Sequence, residues 1–192
     1  MTWVSECWGS RQGYNTKKSA FWRVTRELVH RLGIADVGKK DWPSHIAWSN
    51  LYKVSPDKGG NPTEALKEAQ FPYCAKILAA EIRELKPRRV VFLTGWQWAK
   101  RFLGELGVNS SISCAGGLLE ASGRLPSGSD FVVLPHPQGK PQKEIVKLLV
   151  TEDRHGLILA ATNKQYETLA KLIKRKFTAE AQRTPRRMLS ED

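Results

Sequence analysis

The run Arg-Val-Val-Phe-Leu-Thr-Gly at residues 89–95 decides the fold class, because it is continuously apolar and ends at a glycine. Such a run is typical of a strand that is buried on both faces in a parallel sheet. A second apolar run, Asp-Phe-Val-Val-Leu at 130–134, leads into Pro-His-Pro-Gln-Gly at 135–139. The two runs therefore predict buried strands of a sheet that helices cover on both faces.

Segments with apolar residues at helical spacing alternate with these strands. The first of them stops at Gly33, and the second is closed by Pro87, with a break expected at Pro72. The predicted helices span residues 21–32, 62–85, 96–106, 141–151 and 164–182.

β-branched and aromatic residues predict a further strand at 45–54. We also expect a very short strand at 2–5 and another around 118–121, in a Gly/Ser-rich region. The regular alternation of strand and helix indicates a three-layer α/β/α fold with a mostly parallel central sheet. A chain of 192 residues is long enough for one such domain. We expect the domain to span residues 1–182, and we expect residues 183–192 to form a flexible tail.

The charge balance favours a polyanionic partner. The chain has 31 Lys and Arg residues against 19 Asp and Glu residues, which gives a net charge of +12. Such an excess creates a field that attracts nucleic acid. Part of it lies in the basic segment 171–187, where it is also consistent with a solvated tail.

Several classes of protein do not fit the sequence. No apolar run is long enough for a transmembrane helix, and the first residues lack the pattern of a secretory signal. Cysteines 7, 74 and 114 are too far apart for a disulfide framework or a thiolate metal site, and the four histidines show no ligand spacing. We therefore expect a cytoplasmic monomer without membrane, metal or cofactor.

Polar residues follow the predicted strands where ligands gather in parallel α/β sheets, at the carboxyl ends. These residues are Glu6, Asn50, Thr94 and His136. A carboxylate can stabilise positive charge or orient water, an imidazole can stabilise a departing anion, and an amide can recognise the edge of a base. Each also has a simpler interpretation, as a solvated carboxylate, a turn cap or a loop residue.

Five short segments follow one another in an order that is typical of one enzyme family. Val-Ser-Glu-Cys-Trp-Gly at 4–9 stands where this family has Gly-Gln-Asp-Pro-Tyr or Gly-Glu-Ala-Pro-Gly, and Ser-Ala-Phe-Trp at 19–22 is similar to its base-stacking segment. Trp-Ser-Asn-Leu-Tyr-Lys-Val at 48–54 is similar to the strand with its base-recognising Asn. Residues 81–95 match its helix and central strand, and His-Pro-Gln-Gly at 136–139 stands in place of His-Pro-Ser. On these segments the chain resembles the uracil-DNA glycosylase superfamily.

The resemblance implies hydrolysis of the N-glycosidic bond of a base that has been flipped out of single- or double-stranded DNA. It implies that Phe21 stacks on the base, Asn50 binds its pairing edge and Trp8 walls its 5-position. Glu6 would stabilise the sugar cation or position water, and His136 would stabilise the leaving base. The loop expected to press into the DNA consists of Pro137, Gln138, Gly139 and Lys140.

Departures from the family pattern leave the excised base open. Val4 stands in place of a Gly, Gln138 replaces the usual Ser, and the iron–sulfur cysteines of one branch are absent. The substrate is therefore either uracil or a modified pyrimidine, and the context either DNA repair or defence against phages with modified DNA.

Two other functions compete with the glycosylase hypothesis. Gly13, Lys18 and Ser19 resemble part of a nucleotide-binding phosphate loop, but its second glycine is missing. The altered first motif is also compatible with a module that binds nucleic acid in the same fold without catalysis. Detection of abasic sites distinguishes this module from an enzyme.

Overall fold

The computed structural model describes residues 2–57, 59–108 and 117–153. The helix predicted at 164–182 and the tail predicted at 183–192 lie outside these residues, so both stay predictions, as does the span of the domain. The described elements are, in chain order, α1 (Trp3–Glu6), α2 (Ala20–Arg31), α3 (Glu64–Leu85), β1 (Arg89–Leu93), α4 (Trp96–Glu105), β2 (Ala121–Arg124), β3 (Asp130–Leu134) and α5 (Gln142–Asp153).

The described strands form a small mixed sheet in the order β1-β3-β2. β1 pairs with β3 in parallel, and β2 pairs with β3 in the antiparallel direction. The α/β class and the two apolar strands are thus confirmed, and the strand expected around 118–121 lies slightly later, at β2. The expectation of a mostly parallel sheet is not met among the described strands, since one pairing of each kind is present.

β3 lies at the centre of the sheet, and its alternating side chains pack in two different cores. Phe131 and Val133 belong to a cluster with apolar residues of α3 and α4, which we call the α3/α4 cluster. Val132 and Leu134 belong to a cluster with residues of α2 and α5, which we call the α2/α5 cluster. Because successive strand residues point to opposite faces, helices cover both sides of this sheet.

The predicted helices that fall within the described residues are confirmed as α2 to α5. The break expected at Pro72 is wrong, because α3 is continuous from Glu64 to Leu85. Proline inside a helix costs about 3 kcal/mol. Phe71 and Cys74 pack in the α3/α4 cluster on either side of Pro72, and their burial offsets that cost. Neither α3 nor any other described helix is long and apolar enough to cross a membrane.

Two predicted strands are wrong. Residues 3–5 belong to α1 and Thr2 is its N-cap, and the Glu6 and Cys7 N–H groups donate to the carbonyls of Thr2 and Trp3. Residues 45–54 form no strand, since His45 ends a 3-10 turn (Trp42–His45) and residues 46–54 continue as irregular chain.

The buried Gln70 of α3 takes the place of a strand partner for the end of this irregular segment. Its Oε1 accepts from the N–H groups of Lys53 and Val54, both at 2.9 Å, and its Nε2 donates to the Val54 carbonyl at 3.0 Å. These bonds satisfy backbone groups that would otherwise need a neighbouring strand.

A third core joins α1, α2 and the segment 42–48. We call it the tryptophan cluster, because Trp22 and Trp42 are buried in it and Trp48 packs against it. The Trp22 and Trp48 rings meet edge to face with 5.2 Å between centroids. Aromatic pairs in this geometry contribute about 0.5–1.5 kcal/mol beyond their area burial. The aromatic residues of 42–48 therefore stabilise a helical core rather than a strand.

Candidate functional site

His136 lies in the loop that follows β3, at the carboxyl end of the parallel strand pair. The Gly95 N–H donates to the Leu134 carbonyl at 2.9 Å, which brings the ends of β1 and β3 together. The His136 side chain is exposed, and its Nδ1 accepts from the Gln138 N–H at 3.2 Å. A neutral imidazole that accepts at Nδ1 carries its proton on Nε2. His136 can therefore donate a hydrogen bond from Nε2 to a bound group.

The rest of the predicted DNA-binding loop combines a buried anchor with exposed residues. Pro137 is buried, and its carbonyl accepts from the Lys140 N–H at 3.2 Å. Gln138, Gly139 and Lys140 are exposed. Gly139 has φ +70°, a conformation that glycine adopts without steric cost. The loop is thus a tight turn whose tip faces solvent.

Glu6 lies at the end of α1 and is exposed, so it does not follow a strand. Trp8 lies two residues later and is half-buried against the tryptophan cluster. The Arg26 guanidinium lies over the Trp8 ring, 4.9 Å from its centroid. A cation on the ring face stabilises this position by about 0.5–1 kcal/mol. Arg26 of α2 therefore holds the Trp8 ring in place, two residues after Glu6 in the sequence.

Phe21 is half-buried at the start of α2, where it touches two cores. It packs against both the α2/α5 cluster and the tryptophan cluster. Its ring centroid lies 5.0 Å from that of Trp22 and 6.5 Å from that of Trp48. These contacts are typical of a core aromatic residue. Because Phe21 is only half-buried, part of its ring surface stays accessible for stacking.

Asn50 is exposed, and its side-chain amide makes no hydrogen bond to any residue in the described ranges. Its backbone is held instead. The Lys53 ammonium donates to the Asn50 carbonyl at 2.6 Å, to Ser49 Oγ, and to Glu81 Oε1 at 3.5 Å. The Ser49 hydroxyl also donates to Glu81 Oε1, at 2.9 Å. We call Ser49, Lys53 and Glu81 the Lys53 network. It fixes the backbone of the loop and leaves the Asn50 amide available to a ligand.

The segments with predicted site residues are joined by packing, not by the edge of the sheet. Phe21 and Trp48 are in ring contact, and Trp3 of α1 lies 6.4 Å from Trp48 between centroids. The segments that carry Glu6, Phe21 and Asn50 thus share the tryptophan cluster. Thr94 and His136 follow the ends of β1 and β3, while the convergence of the other residues on one pocket stays a prediction.

Sequence reasoning missed a carboxylate at the edge of the sheet. Glu120 precedes β2, and its Oε2 accepts from the Trp96 N–H at the start of α4. Its own N–H donates to the Val133 carbonyl at 2.9 Å. A Cβ on Gly95 would lie 3.5 Å from Glu120 Oε2, at a backbone φ of +83°. The only hint in the sequence is that Gly95 has no side chain with which to cap α4.

No protein-family model, curated protein or solved structure matches the chain. Among residues 2–57, 59–108 and 117–153, no group of three or more His, Cys, Asp or Glu side chains could hold a metal ion.

Three groups with a shifted pKa, Tyr52, Glu68 and Arg101, lie near α3 and α4, while the hydrogen bond to Asp130 raises the pKa of Arg124 in β2. The hydrogen bond from Arg101 lowers the pKa of Glu68, and burial raises the pKa of Tyr52 despite the nearby Arg101 and Lys67 charges. Tyr52 packs edge to face on Trp98 and Phe102. We assign this group a structural role.

Proposed function

We propose that the chain is a monofunctional DNA glycosylase of the uracil-DNA glycosylase kind. It would hydrolyse the N-glycosidic bond of a flipped pyrimidine and leave an abasic site. The observation that carries the proposal is the position of His136, in a His-Pro-Gln-Gly loop at the carboxyl end of the parallel pair β1 and β3. The helices on both faces of the sheet support the three-layer fold that this family implies.

Base flipping comes first, because the bond and the pairing edge are inaccessible inside a duplex. Extrusion costs a few kcal/mol, and stacking on an aromatic ring recovers about 1–3 kcal/mol per base. Phe21 supplies that ring in our proposal, and Trp8 walls the 5-position of the base. The free Asn50 amide donates and accepts on the pairing edge, which distinguishes one pyrimidine from another.

Bond cleavage separates two charges, and one side chain serves each of them. As the bond between C1′ and the base breaks, its electron pair stays with the base, and the sugar becomes cationic. His136 Nε2–H donates to the base oxygen on which the negative charge develops, while the Gln138 N–H holds Nδ1 in place. The Glu6 carboxylate stabilises the sugar cation and accepts a proton from the water that attacks C1′.

The excised base is uracil or a modified cytosine or uracil, and the role is base-excision repair or defence against phages with modified DNA. Base release from oligonucleotides that contain uracil, hydroxymethylcytosine or glucosylated hydroxymethylcytosine tests the proposal. Abasic sites are revealed by alkaline strand cleavage. We expect release from one of these substrates by wild type and none by His136→Ala. His45→Ala is the matched control, because His45 is also exposed but faces Asp41 at 3.8 Å.

A module that binds nucleic acid without catalysis is the second candidate. It is favoured by the position of Glu6, exposed at the end of a helix, and by the core contacts of Phe21. Tight binding of all three oligonucleotides by wild type, without any abasic site, would select this candidate over the enzyme.

A further inference from the structure

Arg23 ties together three segments next to the His136 loop. Its Nη1 donates to the carbonyls of Lys17 at 2.9 Å and Lys18 at 2.7 Å. Its Nε donates to Gln142 Oε1 at 3.0 Å. Lys17 and Lys18 belong to a 3-10 turn (Thr16–Lys18) just before α2, and Gln142 is the first residue of α5. The guanidinium therefore holds this turn against the start of α5.

These partners of Arg23 are neutral oxygens, and no carboxylate pairs with it among the described residues. The guanidinium thus holds the turn by hydrogen bonds, and its positive charge is not neutralised by these partners. Unpaired charges add to the local potential, which raises the concentration of anions near the surface.

Lys17 and Lys18 combine fixed backbones with free ammonium groups. Asn15 Oδ1 accepts from the Lys17 N–H at 3.0 Å, and Arg23 holds both carbonyls. Both side chains are exposed, and neither forms an ion pair within the described part of the chain. Six other lysines and arginines are paired with carboxylates, in Arg31–Glu27, Lys53–Glu81, Lys67–Glu64, Arg83–Glu84, Arg101–Glu68 and Arg124–Asp130.

The start of α5 adds two more basic side chains. Lys140 precedes Gln142 by two residues and Lys143 follows it, and both are exposed. Neither has an ion pair in the described ranges. Glu144 is the acidic residue in the first turn of α5, so the four lysines and Arg23 outweigh the negative charge here.

We propose that Lys17, Lys18, Lys140 and Lys143 form one surface that binds the phosphate backbone of a nucleic acid. Arg23 sets the spacing between the two lysine pairs. The surface rests on the proposed function in that DNA is the partner and the His136 loop borders it. It adds a contact that does not depend on the DNA sequence, because the phosphates are the same at every nucleotide.

The salt dependence of DNA binding tests this surface. Binding of a labelled oligonucleotide is followed by fluorescence anisotropy between about 50 and 200 mM salt. Each phosphate contact contributes about 0.9 to the slope of log K against log salt on duplex and about 0.7 on single strands. Lys17→Ala/Lys18→Ala should therefore reduce the slope by roughly 1.8 or 1.4. The control Lys76→Ala/Lys100→Ala removes the same charge from exposed lysines of α3 and α4.

The outcomes separate this surface from the proposed reaction. An unchanged slope in the Lys17/Lys18 variant, or an equal reduction in the control, overturns the proposed surface. If wild type releases a base in that case, the proposed glycosylase function still stands. A reduced slope in this variant alone, together with no base release by wild type, supports the surface and rejects the function. Absence of DNA binding by wild type overturns both. Thermal unfolding of both variants checks that the folds are intact.

Discussion

Glu81 of α3 accepts a hydrogen bond from the Lys53 ammonium at Oε1, 3.5 Å away, and its buried Oε2 has no hydrogen-bond partner among the residues that the structure describes. The pair is mostly buried, with the Glu81 side chain 12% exposed and the Lys53 side chain 25% exposed. Removing one partner from such a pair leaves an uncompensated charge. Loss of the Glu81 charge would leave the Lys53 ammonium without its partner, and this ammonium donates a hydrogen bond to the Asn50 carbonyl.

Glu81→Gln should weaken the Lys53 network and displace the Asn50 loop. We expect a loss of about 1–3 kcal/mol in the free energy of unfolding, since a buried charge loses its partner. The kcat of base release should also fall, because the displaced loop moves Asn50 away from the base. This decrease should exceed the one that a smaller folded fraction would cause. Urea unfolding and single-turnover kinetics measure the two effects. Glu84→Gln is the control, because Glu84 is an exposed, paired carboxylate of the same helix. Equal behaviour of the two variants would contradict the role of Glu81.

Asn50→Ala should abolish base release and leave the stability nearly unchanged, because the exposed amide has no partner among the described residues. Surface substitutions of this kind usually change stability by less than about 0.5 kcal/mol. Base release and thermal unfolding are the measurements, and Asn61→Ala, also exposed, is the control. Turnover by Asn50→Ala near that of wild type would exclude a base-recognition role.

Glu6→Gln should reduce base release severely without loss of fold, because an amide keeps the shape of the side chain but removes its charge. Glu105→Gln provides a matched control, since Glu105 is likewise exposed at the end of a helix. The rate of release at saturating DNA is the quantity to compare. A rate in Glu6→Gln as high as in the control would mean that this carboxylate takes no part.

Glu120 caps α4 from a distant part of the chain, and two substitutions separate its hydrogen bond from its charge. Glu120→Ala should cost about 0.5–2 kcal/mol in the free energy of unfolding, as loss of an N-terminal cap does. Glu120→Gln keeps an acceptor for the Trp96 N–H and should lose only about 0.3–1 kcal/mol of helix-dipole energy. Chemical denaturation measures both. If Gln were as harmful as Ala, the charge of Glu120 would matter more than its bond.

Alkaline pH should destabilise the protein through Tyr52. Burial raises the pKa of Tyr52, so the folded state favours the neutral phenol. The unfolded state then releases its proton first, near the ordinary pKa of about 10. The contribution of neutral, buried Tyr52 to the free energy of unfolding is fully present below that pH. It is lost as the pH rises through the pKa of folded Tyr52.

Tyr52→Phe should remove this part of the pH dependence and leave the remainder in place. Denaturant unfolding at a series of pH values around 10 gives the two slopes. Ultraviolet absorbance of tyrosinate reports the titration directly. Identical slopes in wild type and Tyr52→Phe would show that another group titrates.

The two parallel strands, β1 and β3, could be predicted from the sequence because strands of a parallel sheet that helices cover are continuous apolar runs. The irregular chain from 46 to 54 could not be predicted, because its aromatic and β-branched residues have the composition of a strand. Their partners are a tryptophan core and one glutamine of α3, and local composition does not encode such distant contacts.

The same limit holds for the site. His136 could be placed at the edge of the sheet because it follows a recognisable strand. Glu120 and the Lys53 network could not be found, since the bonds of Glu120 to Trp96 and of Lys53 to Glu81 span 24 and 28 residues. A single charged residue at such a separation has no periodicity that would distinguish it from a solvated one.

Gln70 and Glu81 hold the Asn50 loop from two points of α3 that lie close to three helical turns apart, at about 3.6 residues per turn. They therefore share one side of the helix. Adding one residue between them would rotate Glu81 by about 100° relative to Gln70. The loop would then lose one of its two supports, although its own residues would be unchanged. Whether the loop keeps both supports thus depends on the number of residues between Gln70 and Glu81, because that number sets the angle between them around the axis of α3.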